Sequence, residues 1–219
     1  TYVSTVWLLV EFAEYKAIYN LQGTKDNYDL QNNLENHGTD TLLSVGGNID
    51  GVAQRAIVSF DLPNLAKGSF VVDSCKFKAY FKSEVNTTNR YIYLKGMVAN
   101  IQNEWTESGS HSDSTGADTL GVNEAWSPAF FAPGKLMDSV LATTPGAYLT
   151  WKVDPTWIAN AISNDSFFAG FVLVNKDEAA ANSVKRFLSW DSSKPESLII
   201  YDAQDQLFQA QQLASSNCQ

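Results

Sequence analysis

This chain is short of the side chains that most often carry chemistry. It has two cysteines and two histidines in 219 residues. Neither His37, in an Asn-x-Gly turn, nor His111, in a serine-rich stretch, has a second histidine at ligand spacing, so both read as solvated loop residues. Cys-x-x-Cys, Gly-x-Ser-x-Gly and glycine-rich phosphate loops are all missing, which removes the sequence signatures of thiol redox, serine-hydrolase and nucleotide chemistry. Two carboxylates can still meet across a fold, as in glycosidases, but 24 acidic residues make chance pairs common, and no enzyme is expected. No apolar run reaches the roughly 18 residues of a membrane span. Basic residues are outnumbered 15 to 24, and a net charge of -9 argues against a nucleic-acid partner and against insertion into anionic membranes.

What is present is a core. Hydrophobic residues make up 44% of the chain and aromatics 12%, ample for one ordinary domain and incompatible with a disordered or collagen-like chain. Residues 36–62 join two strand-like runs. Thr41 to Val45 is β-rich, Gly46 to Gly51 supplies positive-φ positions, and Arg55 to Leu62 resumes with Ala56, Val58 and Phe60 on one face, so the stretch reads as an antiparallel hairpin.

Alternation continues in Val71–Phe81. There Val71, Cys75, Phe77, Ala79 and Phe81 point inward, and Lys76, Lys78, Tyr80 and Lys82 point outward. Tyr91–Val98 places Ile92, Leu94 and Val98 inward, with Tyr91, Tyr93 and Lys95 outward. If these two strands pair, their outward residues form one aromatic and basic patch on an acidic protein; otherwise they decorate a wet sheet face or an edge.

Residues from Glu104 through Pro145 lack periodicity and read as a long loop pinned by Trp105, Trp126, Phe130 and Phe131. Tyr148–Val153, Phe167–Val174, Arg186–Trp190 and Leu198–Tyr201 are further strands. Asp154–Ser163 is the one helix, with Asp154 as cap, Pro155 at the first position, and Ile158, Ala161 and Ile162 along one stripe. The expected fold is all-β: a two-sheet antiparallel sandwich, jelly-roll-like, with one short helix and an N-terminal strand extension.

The order of several short signatures resembles the secreted β-sandwich domain family named DNRLRE. They are Asp26 with Tyr28; Asn36 with Gly38; Leu43, Val45 and Gly46; Arg55 with Phe60, Asp61 and Leu62; Trp105 with Glu107; and Trp126. After these come Val153, Asp154 and Thr156, then Gly170 to Val174, and a closing Phe187, Ser189, Asp191, Pro195, Leu198, Ile200 and Tyr201. The proline in Asp154-Pro155-Thr156 and the long flanks depart from the pattern. The resemblance implies an extracellular or cell-surface protein and, from relatives of that kind, an affinity for acidic polysaccharides. It divides the chain into an arm (1–23), a sandwich (24–203) and a C-terminal tail (204–219).

Beginning with Thr1, the chain reads as a processed or partial product. The arm carries Val6, Trp7, Leu8, Leu9, Val10 and Phe12, too apolar to stand in water. It reads as a strand in its first part, with a short helix over Glu11–Tyr19 as the competing form. Such a strand can be donated to a neighbouring copy, giving a filament, or can fold back onto its own sheet.

Cys75 and Cys218 form an even pair. Bridged, they would close a long loop worth roughly 3 to 5 kcal/mol in the chain-entropy model; unbridged, Cys75 is a small core residue. Asn86 and Asn164 open sequons. Asn48 with Asp50, and Asp113 with Asp118, offer oxygen ligands for a structural calcium ion without a recognised loop spacing, and no other cofactor is implied. Two functions compete with an enzyme: a self-assembling extracellular structural subunit, which the terminal extensions favour, and a non-catalytic module that binds acidic polysaccharide through Lys76, Lys78, Tyr80, Lys82, Tyr91, Tyr93 and Lys95.

Overall fold

The computed structural model describes residues 19–31, 37–62, 71–98, 135–163 and 168–202. Among them the chain forms eleven strands and one helix: β1 (Tyr19–Gln22), β2 (Lys25–Leu30), β3 (Leu42–Gly47), β4 (Ala53–Ser59), β5 (Val72–Glu84), β6 (Arg90–Val98), β7 (Leu136–Ala142), β8 (Ala147–Val153), α1 (Pro155–Ser163), β9 (Phe168–Asn175), β10 (Lys185–Leu188) and β11 (Ser197–Asp202). Every strand pair is antiparallel. In the first sheet β5 has β8 on one side and β11 followed by β10 on the other; β1 extends β11 and β3 extends β10. The second sheet runs β2-β4-β9-β6-β7. The result is the all-β sandwich that alternation implies.

The inward faces meet in one core. Phe77 and Trp151 come from the first sheet and Phe171 from the second, with ring centroids of Phe77 5.5 Å from Trp151 and 5.6 Å from Phe171. Phe60 closes edge-on against both Phe77 and Phe171, at 6.0 and 6.1 Å. Trp151 also donates its indole N–H to the Ile92 carbonyl at 2.8 Å, so the largest buried side chain leaves no polar atom unsatisfied. Lys185, fully buried beside this core, is ion-paired with Glu84 and donates to the Asn86 carbonyl.

The expected antiparallel hairpin at residues 41–62 forms at its turn, where Asn48 N–H donates to the Val52 carbonyl, but it is short and opens into a corner. β3 and β4 pair only through Gly46 with Gln54 and Gly47 with Ala53; beyond that β3 leaves to pair with β10, and β4 joins the second sheet. The chain can turn there because Gly46 has φ 123° and the 180–183 backbone packs directly on the two glycines. Ser183 Oγ accepts from Gly47 N–H at 2.8 Å, and Gly47 O accepts from Ser183 N–H at 2.9 Å.

The helix agrees with its sequence signals. Asp154 Oδ1 accepts the Thr156 N–H at 2.9 Å, Pro155 opens the first turn, and Ile158 and Ala161 are buried.

The structure departs from the sequence pattern in several places. β5 and β6 do not pair, because the 85–89 connection carries the chain from one sheet to the other. β7 lies inside the stretch read as loop; of its residues only Ala142 is fully buried, so this edge strand lacks the contrast that marks a strand. β2 carries no alternation signal either, since its buried residues include Asp26 and Asn27. Val71 is 47% exposed, because β5 skips a residue where Tyr201 pairs with Ser74 and Asp202 with Val72, and a bulge reverses the phase. The last part of the arm, Tyr19–Gln22, is a strand of the sandwich itself, paired with β11.

A Cβ at residue 47 would lie 2.2 Å from the Ala180 carbonyl oxygen. Gly47→Ala is therefore expected to cost more than about 1 kcal/mol, read as a lowered urea midpoint, whereas Gly51→Ala, which meets only a 3.6 Å contact, loses chiefly through its φ of 76° and retains the corner.

Candidate functional site

β5 alternates because one side of it fills the core, and this leaves Lys76, Lys78 and Tyr80 on the outer surface of the first sheet, with Lys82 exposed at a bulge. Neighbouring strands add to them. Lys152 lies opposite Lys76, Thr150 opposite Lys78 and Tyr148 opposite Tyr80 on β8, while Tyr201 comes from β11 and Lys194 from the loop before it. The aromatic rings are held in place: Tyr80 and Tyr148 meet edge to face at 5.2 Å, and Tyr80 donates its hydroxyl to the Gly146 carbonyl at 2.9 Å.

Cations sit over these rings. Lys194 Nζ lies 3.9 Å from the Tyr80 centroid, Lys78 Nζ 4.9 Å from Tyr148, and Lys76 Nζ 5.4 Å from Tyr201. Among the described residues, none of Lys76, Lys78, Lys82, Lys152 and Lys194 has a carboxylate within salt-bridge distance. Two of them, Lys76 and Lys152, face each other directly across the ladder, an arrangement that costs stability unless an anion is present. On a chain of net charge -9 this is a concentrated exception.

The other half of the expected patch is elsewhere. Tyr91, Tyr93 and Lys95 lie on the outer surface of the second sheet, opposite Leu141, Ser139 and Leu136 of β7, and the nearest cation over Tyr91 is Lys176 at 5.9 Å. A single seven-residue patch is therefore not formed. Tyr148, Lys152 and Tyr201, from strands paired with β5, and Lys194, from the loop before β11, replace the missing half.

His37 also departs from its expected solvation. Its ring stacks on Tyr28 at 4.1 Å, and its Nδ1 lies 3.1 Å from Asp40 Oδ2, which also accepts the Tyr28 hydroxyl. Asn48 Oδ1 accepts the backbone N–H of Asp50 and of Val52, so it caps a turn. Among the described residues no three of His, Cys, Asp and Glu gather as metal ligands. Asp113, Asp118 and His111 lie outside them, as do Val6, Trp7, Leu8, Leu9, Val10, Phe12, Asn164 and Cys218. Asn86 is exposed between β5 and β6. Cys75 is a free buried thiol whose pKa burial, with help from Asp154 and Asp73, pushes up to about 12, so it stays protonated and unreactive.

One acidic pair does meet. Asp26 of β2 and Glu196, just before β11, are both fully buried, and Asp26 Oδ2 accepts the Trp190 N–H at 2.6 Å. Loss of water raises the Glu196 pKa well above the usual carboxylate range, and the adjacent charge of Asp26 and then that of Asp191 raise it further. Lacking any exposed surface, the pair links the second sheet to the 190–196 loop and offers no substrate a path.

The sign of its pH dependence follows. A carboxyl whose pKa is higher in the folded state contributes stability fully below its unfolded value, near 4.5, and loses it as pH rises through the folded value. Urea midpoints of the native protein should therefore fall as pH is raised above that range. Glu196→Gln, neutral throughout, should flatten this fall and be the more stable form at neutral pH; an unchanged pH profile in the variant would exclude Glu196 as its source.

Comparison with models of known families and with curated proteins finds no match for this chain, so its function is argued from its sequence and its geometry.

Proposed function

We propose that the chain is a non-catalytic module that acts outside the cell and binds acidic polysaccharide across the outer surface of the first sheet. The observation that supports this most directly is the group of five lysines without carboxylate partners among the described residues, interleaved with Tyr80, Tyr148 and Tyr201. A polyanion supplies the missing counter-charges along the strands, and sugar rings supply C–H faces for the tyrosines. The distance from Lys76 to Lys82 along β5 is about 20 Å at the usual strand rise, which suits a chain ligand better than a small ion. The resemblance to secreted DNRLRE-type domains points the same way.

Binding through these ammonium groups should weaken with salt, since the Debye length is about 10 Å at 0.1 M and shorter above it. Lys78→Glu should reduce affinity for a uronate or sulfated polymer about tenfold or more, because a charge-assisted hydrogen bond is worth about 1.5–3 kcal/mol. Lys95→Glu, on the opposite surface, should leave it unchanged. Isothermal titration with polygalacturonate and heparin against neutral dextran reads this; equal loss from both variants, or binding indifferent to salt, counts against the proposal.

A second reading, self-assembly, draws on one feature of the sheet edge. β1, which follows the arm directly, pairs with β11 at the end of the first sheet, so the arm enters the sandwich where a strand from another copy can add. In that reading Val6, Trp7, Leu8, Leu9, Val10 and Phe12 fill the neighbour's pockets and head-to-tail contacts extend into a filament. Sedimentation and electron microscopy should then show polymers of the full chain and monomers of a variant lacking residues 1–12. A full-length chain that stays monomeric at every concentration rejects it.

A further inference from the structure

We infer that the cleft beside Arg186, at the β10–β3 end of the same outer surface, is a second binding site that takes a single hydroxylated carboxylate: a uronic acid unit at the end of a chain. The cleft has a volume of about 530 Å³, the range of sites for small molecules, and is lined by Tyr28, Asp40, Ser44, Gln54 and Arg186 with Ile49 at its rim. Lys185 and Phe187 of β10 are buried, so Arg186 between them projects outward from the first sheet.

Arg186 is exceptional among the three arginines of the chain. Arg55 binds Glu178 through both Nε and an Nη, at 2.9 and 2.6 Å, and Arg90 binds Asp177 at 2.7 Å. Arg186 has no carboxylate within salt-bridge distance among the described residues and makes no side-chain hydrogen bond there. Its neighbours across the ladder are Ser44 on β3 and Ser83 on β5, both too short to cover a guanidinium. An uncommitted planar fork at the side of a polar cleft is suited to a carboxylate, which it engages by two parallel hydrogen bonds.

The rest of the lining suits hydroxyl groups. Gln54 and Ser44 each offer a donor and an acceptor, and Asp40 carries acceptor capacity that the Tyr28 hydroxyl and His37 fix in position. An acid in the same lining as a cation disfavours a densely charged anion such as sulfate or phosphate, and favours a ligand with one carboxylate and several hydroxyls. Ile49, 75% exposed, gives the rim an apolar contact for a sugar face.

Position connects the two sites. Along β5 the outward residues run from Lys76 to Lys82, and the next residue, Ser83, is paired with Arg186. A polymer lying on the lysine strip thus arrives at the cleft with one end. This inference rests on the proposed polysaccharide reading for its ligand class, but the sites are separable.

The test follows backbone amide shifts of the full chain by NMR while free glucuronate, galacturonate, mannuronate and guluronate, and neutral glucose, are added one at a time. At least one uronate should shift amides of residues 42–44, 54 and 186, and glucose should not. Arg186→Gln should weaken that uronate about tenfold or more while preserving polymer binding to the strip, and Lys78→Glu should do the reverse. Arg186→Lys keeps the charge and guards against a folding defect; it should recover little of the monomer affinity, because an ammonium lacks the fork. The inference is overturned if none of the four uronates shifts these amides, if glucose shifts them equally, or if Arg186→Gln binds as the native chain does. Polymer binding with no monomer site would refute the cleft alone; monomer binding without polymer binding would refute the strip alone.

Discussion

Phe77 packed between Trp151 and Phe171 is the contact on which the rest of the molecule depends, because it fixes two sheets face to face with little polar material between them. Once β5 turns Cys75, Phe77, Ala79 and Phe81 toward that core, the pleat leaves Lys76, Lys78 and Tyr80 no direction but outward. The basic and aromatic outer surface is a geometric consequence of the core. The same holds for β10, where burial of Lys185 and Phe187 projects Arg186 into the cleft.

The corner at Gly46 and Gly47 is the second constraint. Strand β3 passes from one sheet to the other there, and any side chain on either glycine would meet the 180–183 backbone. The motif residues that carry the family resemblance are mostly of this structural kind. Leu43, Val45, Phe60, Phe187, Leu198 and Ile200 are core, Asp26 holds the Trp190 N–H, Asp154 caps the helix, and Arg55 is paired with Glu178. As they stand in this chain they describe how a sandwich is built, whereas Lys76, Lys78, Lys152, Lys194 and Arg186 lie outside the motif.

Electrostatics sort the charged groups into two populations. Arg55, Arg90, Lys135 and Lys185 are paired with Glu178, Asp177, Asp154 and Glu84, and these pairs tie loops and edges to the sandwich. Among the described residues the cations of the first sheet's outer surface have no such partners, despite the excess of acid.

By itself the sequence determined what depends on near neighbours. Period-two alternation assigned the inward and outward sides of β5 and most of β6, and Asp154-Pro155 with Ile158 and Ala161 marked the helix. A local signal of this kind reports which side of a strand meets the core. It carries no information on whether two successive strands lie side by side or face to face, since both arrangements bury the same residues. Only the tertiary structure decided that β5 and β6 belong to different sheets, separating Tyr91, Tyr93 and Lys95 from Lys76, Lys78 and Tyr80 and joining these to Tyr148, Lys152 and Tyr201. It also decided that β7, with its weak alternation at an edge, is a strand, that Asp26 meets Glu196, and that Arg186 stands uncommitted in a cleft. Each is a meeting of residues far apart in the chain, and long-range pairing leaves no periodic trace in either segment.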